Sequence, residues 1–156
     1  MNKEWARWIA ASINKHFEDL LISASVLDFK LFFEGNHRAT DISQSIIEVR
    51  SDGGYWIENT RNHWIGVYEI NLLVQFYMDD KDNYRVWDLI GLCNEAMSKP
   101  FPIFKFGGSG DESLLGCFNR LRDKQEIITH FFGQIEPSLN LLQATVEAHY
   151  SIELES

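Results

Sequence analysis

The sequence predicts an α+β fold: a single domain whose mixed or antiparallel β-sheet has two long strands covered by an N-terminal helix and a second, central helix. Three observations carry this. First, His63–Met78 (HWIGVYEINLLVQFYM) places an apolar residue or Gly at every second position, from Trp64 through Ile70 to Met78. Period two is the signature of a strand. Second, Leu142, Ala144, Val146, Ala148, Tyr150, Ile152 and Leu154 alternate with Gln143, Thr145, Glu147, His149, Ser151 and Glu153. That predicts a long strand over about 140–154 with one wet face. Third, residues 3–22 and 84–98 repeat their apolar positions at helical spacing.

In the first helix, Trp5, Trp8, Ile9, Ile13, Phe17, Leu20 and Leu21 form the stripe, with Lys3, Arg7, Asn14, Lys15 and Glu18 opposite. Such a helix lies on a membrane or covers a sheet, and the predicted strands favour the sheet. A first strand is expected within Ser25–Phe33, ended by Glu34-Gly35-Asn36, and a polar connection follows. Ile46, Ile47 and Val49 then read as a short strand, closed by a tight reversal at Ser51-Asp52-Gly53-Gly54. The polar segment Asn59–Asn62 reads as a hairpin or an irregular approach to the long strand.

The odd positions of that strand include Glu69 and Asn71 among Ile65, Val67 and Leu73. A face neither wet nor dry predicts partial cover by a helix, another sheet or another subunit; under a subunit, both polar groups would need hydrogen-bond partners across the contact. Residues 79–83 (DDKDN) form a charged turn in which Asp82 or Asn83 is the expected cap of the second helix. The oxygen ligands, central glycine and terminal Glu of a calcium loop are not in place. Val86, Ile90, Cys93 and Met97 make that helix's stripe. Gly91 weakens its interior or admits a close strand, and Pro100 ends it.

Pro100 and Pro102 make the following Phe101–Phe106 an edge strand or a strand start. Gly107-Gly108-Ser109-Gly110-Asp111-Glu112 reads as an exposed, flexible loop that orders on binding. Leu114–Phe118 is a short strand. Arg120, Arg122, Asp123 and Lys124 make a charged turn, and Glu126–Phe132 is a strand stopped by Gly133. The two long strands pair with each other, antiparallel, at the sheet centre. Truncation after Gln143 is expected to abolish folding.

Length and charge narrow the function. A chain of 156 residues with 45 % apolar content builds one domain with a real core. Five Trp and eleven Phe exceed what one small core requires, and some are expected in an interface. A net charge of −9 argues against gripping phosphate backbones, while fitting a lining that DNA must pass without sticking. Cys93 and Cys117 form no CxxC or Cys/His cluster and are expected as free thiols of a reducing compartment. The N-terminus lacks the continuous apolar run of a signal peptide, and no stretch approaches transmembrane length.

No catalytic motif stands out. None of His16, His37, His63, His130 and His149 lies in HExxH, and no Ser lies in GxSxG. Gly53-Gly54 lacks the spacing and lysine of a phosphate loop. Glu147 and His149, two apart on one strand face, form an acid–base or a surface pair. No catalytic residues, cofactor or metal are expected, and the chain is not expected to be an enzyme.

Taken together, the N-terminal helix, the EVRSDGG stretch (Glu48–Gly54), the YEINLLV strand (Tyr68–Val74), the helix after an acidic turn, and the closing FGQIEPSLNLLQATVEAHYSIEL (Phe132–Leu154) resemble the tail-terminator or tail-completion proteins of tailed bacteriophages. The resemblance covers most of the chain, in size, element order and strand texture. It implies a non-enzymatic virion protein: a homo-oligomeric ring, usually a hexamer, at the head-proximal end of the tail. Its partners would be itself, the tail tube protein and the head-completion or connector protein. DNA would pass through the lumen without specific binding, and no membrane would be involved. Assembly would occur in the host cytoplasm. Candidate contact residues are Asp52, Gly53, Gly54, Tyr55 and Trp56 in one loop and Gly107 to Glu112 in another, with Glu69 and Asn71 on the mixed face. Trp56 is the expected anchor, a core tryptophan being the alternative. A head-closure or connector component, and a small α+β ligand-binding domain or enzyme using His130 or His149 beside Glu147, are the other readings.

Overall fold

The computed structural model describes residues 1–23, 29–33, 45–77, 84–106, 112–134 and 141–156. The elements are α1 (Trp5–Ser23), β1 (Lys30–Phe33), β2 (Ile46–Thr60), β3 (His63–Tyr77), α2 (Arg85–Met97), β4 (Phe101–Phe106), β5 (Glu112–Arg120), β6 (Ile128–Gln134) and β7 (Leu141–Glu155). They form an α+β fold dominated by strands. One mixed seven-stranded sheet has the order β1-β2-β3-β7-β5-β4, with β6 beside β7.

The two strands of clearest alternation pair antiparallel along their whole length, from His63 opposite Glu155 to Tyr77 opposite Leu141. Directly opposed residues share a face, so the two apolar sets coincide. Ile70, Leu72, Val74, Ala144, Val146, Ala148 and Tyr150 are fully buried on it. Against that face lie Ile9, Ile13, Phe17 and Leu21 of α1 and Val86, Leu89, Ile90, Cys93 and Met97 of α2, in one continuous core. Each such side chain taken out of water contributes about 1.5–3 kcal/mol. The helices lie against this face alone; among the described residues no helix packs on the other.

Four local expectations are corrected. The reversal expected at Ser51–Gly54 is a bulge: β2 runs straight through it, and its register against β3 shifts between Ser51 and Gly54. Gly53 takes φ 121°. A Cβ on Gly54 would sit 2.1 Å from the Val67 carbonyl oxygen. Two adjacent glycines therefore serve a strand distortion here instead of a chain reversal. The true reversal is Arg61-Asn62, with Thr60 opposite His63 and Asn62 at φ 64°. Second, β6 continues past Gly133, which sits in a bulge at φ 71° and does not stop the strand. Third, α2 begins after Tyr84 as N-cap with no side-chain cap bond, and the expected caps Asp82 and Asn83 lie outside the described residues. Fourth, of the two readings of Gly91 the close strand falls away, since among the described residues nothing lies within 4 Å of its Cβ position.

The β4 expectation holds. It is the last strand of the path, pairing only with β5, and Pro102 is exposed on it. On its free side, the Phe104 N–H donates to Ser12 Oγ at 2.9 Å, and Trp8 Nε1 donates to the Phe106 carbonyl at 3.2 Å. The buried hydroxyl of α1 thus takes the place of a neighbouring strand.

Candidate functional site

The sheet face turned away from the helices carries a groove of about 300 Å³ lined by Asp52, Gly53, Gly54, Tyr55, Val67, Glu69, Leu121, Lys124 and His149. It exists because of the β2 bulge. The extra residue lifts Asp52 and Gly53 off the β3 register, while the turn after β5 closes the other side. That turn is held by Leu121 N donating to the His149 carbonyl at 2.9 Å and Lys124 N donating to the Leu121 carbonyl at 3.1 Å.

The polar groups of this face pair across strands. Glu69 lies opposite His149 in the ladder, with Oε2 and Nε2 3.7 Å apart. Asn71 Nδ2 donates to Glu69 Oε1 at 3.2 Å and also to Asp52 Oδ2. Glu147 meets His130 of β6 at 3.7 Å, and His63 meets Glu153 at 3.5 Å. The expected Glu147–His149 pair is therefore not what forms: each residue finds its partner on the next strand, where opposed side chains sit closer than next-but-one neighbours along a strand. Glu48 is fully buried beside Arg50, to which it is hydrogen-bonded. Asp52, Glu69 and Asn71 thus meet as one hydrogen-bonded set within the chain, whereas the expectation placed the partners of Glu69 and Asn71 across a subunit contact.

Trp56 goes elsewhere. It is half-buried on the helix face, stacked on Trp5 at 5.4 Å, and lies over Gly66, where any Cβ would meet its ring within 2.9 Å. Its ring also meets Tyr68 edge-on at 6.0 Å, and burial raises the Tyr68 hydroxyl pKa. The tryptophan expected as an exposed anchor is a packing residue, because the bulge turns it toward α1. Residues 107–111 of the second candidate loop lie outside the described residues. Glu112 opens β5 opposite Phe106, away from the groove.

Of the exposed apolar residues Tyr55, Ile57, Trp87, Phe131 and Phe132, only Tyr55 was a sequence candidate. Tyr55 and Ile57, 55 % and 51 % exposed, flank the distal half of β2. Toward the other edge of the sheet, beyond β7, Trp87 of α2 stacks on Phe131 of β6 at 5.1 Å, and Phe132, 61 % exposed, stacks on His130. Trp87 carried a signal: it is an aromatic residue outside the stripe of its own helix.

The reactive groups on the core side are inert. Cys93 is buried, free, and its thiol is pushed up to about 12 by desolvation. Burial also raises the Tyr150 hydroxyl, which donates to the Met97 carbonyl at 2.6 Å. Among the described residues no group of three His, Cys, Asp or Glu is placed to hold a metal ion, and no helix is long and apolar enough to cross a membrane.

No protein-family model matches this chain, and no curated protein matches it.

Proposed function

We propose that this chain is an assembly subunit of a tailed-bacteriophage virion, a tail terminator that closes a homo-oligomeric ring on the tail tube and offers its other surface to the head connector. The observation that supports this is the pair of exposed apolar clusters, Tyr55 with Ile57 on β2 and Trp87 with Phe131 and Phe132 by β6, toward opposite edges of one sheet. Two unlike contact patches on one subunit are what a head-to-tail ring requires. The action is steric: a ring that docks on the last tube subunits and presents no further tube surface stops growth. The acidic balance suits a lumen through which DNA slides.

Light scattering over a concentration series, negative-stain imaging and addition of the protein to growing tail tubes test the reading. Closed rings with a central hole, and tubes that stop at a capped end, are expected. A monomer that leaves tubes growing overturns it. Rings that bind portal complexes and ignore tubes would point instead to a head-closure component.

One observation favours a ligand-binding or enzymatic reading: the groove brings Glu69–His149, Lys124 and Tyr55 around one open volume. Its groups already satisfy one another across the strands, which suits a structural face better than a waiting site. Small-molecule binding that is lost in His149→Ala, in a chain that never assembles, would reverse this preference.

A further inference from the structure

The sheet also ends at β1 and at β6. Among the described residues no strand pairs with Lys30–Phe33 on the side away from β2, and none pairs with Ile128–Gln134 on the side away from β7. An edge of backbone N–H and C=O groups is a template for another strand. Resting on the ring reading above, we infer that Leu31–Phe33 of one copy pairs antiparallel with Thr129–Phe131 of a second copy of this chain. Phe33 then stands opposite Thr129, Phe32 opposite His130 and Leu31 opposite Phe131.

The two edges match in level, direction, face and backbone. Across the sheet Phe33 lies opposite Val49, Val49 opposite Leu72, Leu72 opposite Val146 and Val146 opposite Thr129. Phe32, Glu48, Leu73, Thr145 and His130 make the next row, and Leu31, Ile47, Val74, Ala144 and Phe131 the one after. Strand β1 is parallel to β2, while β2, β3, β7 and β6 are each antiparallel to the next, so β6 runs opposite to β1. A copy turned about an axis along the strands therefore brings its β1 beside β6 of the first, antiparallel and without sliding. Leu31 and Phe33 pack on the core, and Phe131 stacks on Trp87 of α2, so the outer rows of both edges stand on the helix face. Successive residues of a strand turn their backbone groups to opposite sides. Lys30 N–H donates to the Ser45 carbonyl at 2.9 Å, toward β2, so Leu31 and Phe33 turn theirs outward. The His149 carbonyl of β7 accepts from Leu121, so the odd-numbered residues of β7 face β5 and β6. Ile128 and His130 answer them opposite Glu147 and Thr145, which leaves Thr129 and Phe131 turned outward. The outward residues of one edge thus meet the outward residues of the other. Neither segment carries an acidic residue in a chain of net charge −9, and the contact gathers Phe32, Phe33 and Phe131. It is heterologous, so repeated copies either close a ring or grow a filament.

Disulfide trapping tests the pairing. Phe32→Cys and His130→Cys are combined in one chain, with the exposed Cys117 changed to Ser. Four strand steps of about 4.8 Å separate the two positions within a chain, beyond the reach of a disulfide. After air oxidation, non-reducing gels are expected to show a ladder of linked copies that collapses on reduction, and no ladder from either single variant. Linked dimers of Phe32→Cys alone would mean that β1 meets β1 and would overturn the inference. Linkage through Ile128→Cys in place of His130→Cys would overturn the level pairing. Imaged rings that yield no ladder would overturn the inference and leave the ring reading standing. An unmodified chain that stays monomeric and caps no tube would remove both. Thr129→Pro adds a readout that needs no cysteine, since it removes one outward N–H, as edge strands tolerate. It is expected to keep its circular dichroism and to associate about tenfold more weakly in sedimentation. Unchanged association of the folded variant overturns the inference, and loss of fold would place that N–H in the β7 ladder, against it.

Discussion

The β4 edge and the distal β2 edge are both borders of the same sheet, and they are finished in opposite ways. On β4, Pro102 removes one N–H, Ser12 accepts from another, and the Trp8 indole occupies the Phe106 carbonyl. A foreign strand would find the Phe104 N–H and the Phe106 carbonyl already engaged. On β2, Gly53–Thr60 presents exposed residues on both faces, Trp56 excepted, and no strand partner beyond β3 among the described residues. A chain that seals one edge with a buried hydroxyl and an indole can seal edges. The other edge has no such cover among the described residues, with exposed Tyr55 and Ile57 beside it, and an open edge is a template for another strand.

The contrast can be broken from the sealed side first. Phe101 of β4 is 1 % exposed, touching Phe17, Phe118 and Tyr150. Phe101→Ala is expected to cost about 3–5 kcal/mol in urea unfolding, and a cost under about 1 kcal/mol would show that the β4 side is not core. Ser12→Ala strands the Phe104 N–H without an acceptor and is expected to cost about 1–3 kcal/mol. Faster amide exchange at Phe104, measured by NMR, would accompany it; unchanged exchange would mean that another group seals the edge.

His16 sharpens the comparison through pH. It stacks on Phe101 at 3.9 Å, and burial lowers its pKa below the ordinary histidine value of 6.5, outweighing its Ala96 backbone hydrogen bond and Asp19, while Lys99 lowers it further. The unfolded chain then binds this proton more readily than the folded one. Its contribution is complete above pH 6.5 and is lost as pH falls through 6.5 toward the lower folded value. His16→Phe, which keeps the stack, is expected to flatten the acid side of the stability profile between pH 8 and 5. Parallel profiles for the two proteins would contradict this.

The smallest effect belongs to the open side. Ile57→Lys is expected to change monomer stability by less than about 0.5 kcal/mol. A larger loss in thermal unfolding would make Ile57 part of the monomer's own packing and erase the distinction between the two edges.

The candidate site was legible in part. Asp52, Gly53, Gly54 and Tyr55 stood out through local chemistry, and they do line the groove with Glu69. Their shared role was misread, because adjacent glycines permit a bulge as readily as a turn, and only the β3 register decides between them. Lys124, Leu121 and His149 reach the groove through pairings among β5, β7 and the intervening turn that no local pattern encodes. Trp56 was misplaced for the same reason: the one-residue shift at the bulge sets which face it takes.

What the sequence determined by itself are the elements whose period is long and clean: α1, α2, β3 and β7, the faces they bury, and the antiparallel pairing of β3 with β7. Burial of one face of each is a demand that the alternation states outright. What only the tertiary structure decided are the events where that demand is silent. These are the passage of β2 through Gly53-Gly54, the cross-strand partners of Glu69, Glu147 and His149, and the choice of which sheet edge α1 seals. Each depends on register between strands distant in the chain, and register is fixed by the packing of the whole sheet rather than by any one segment.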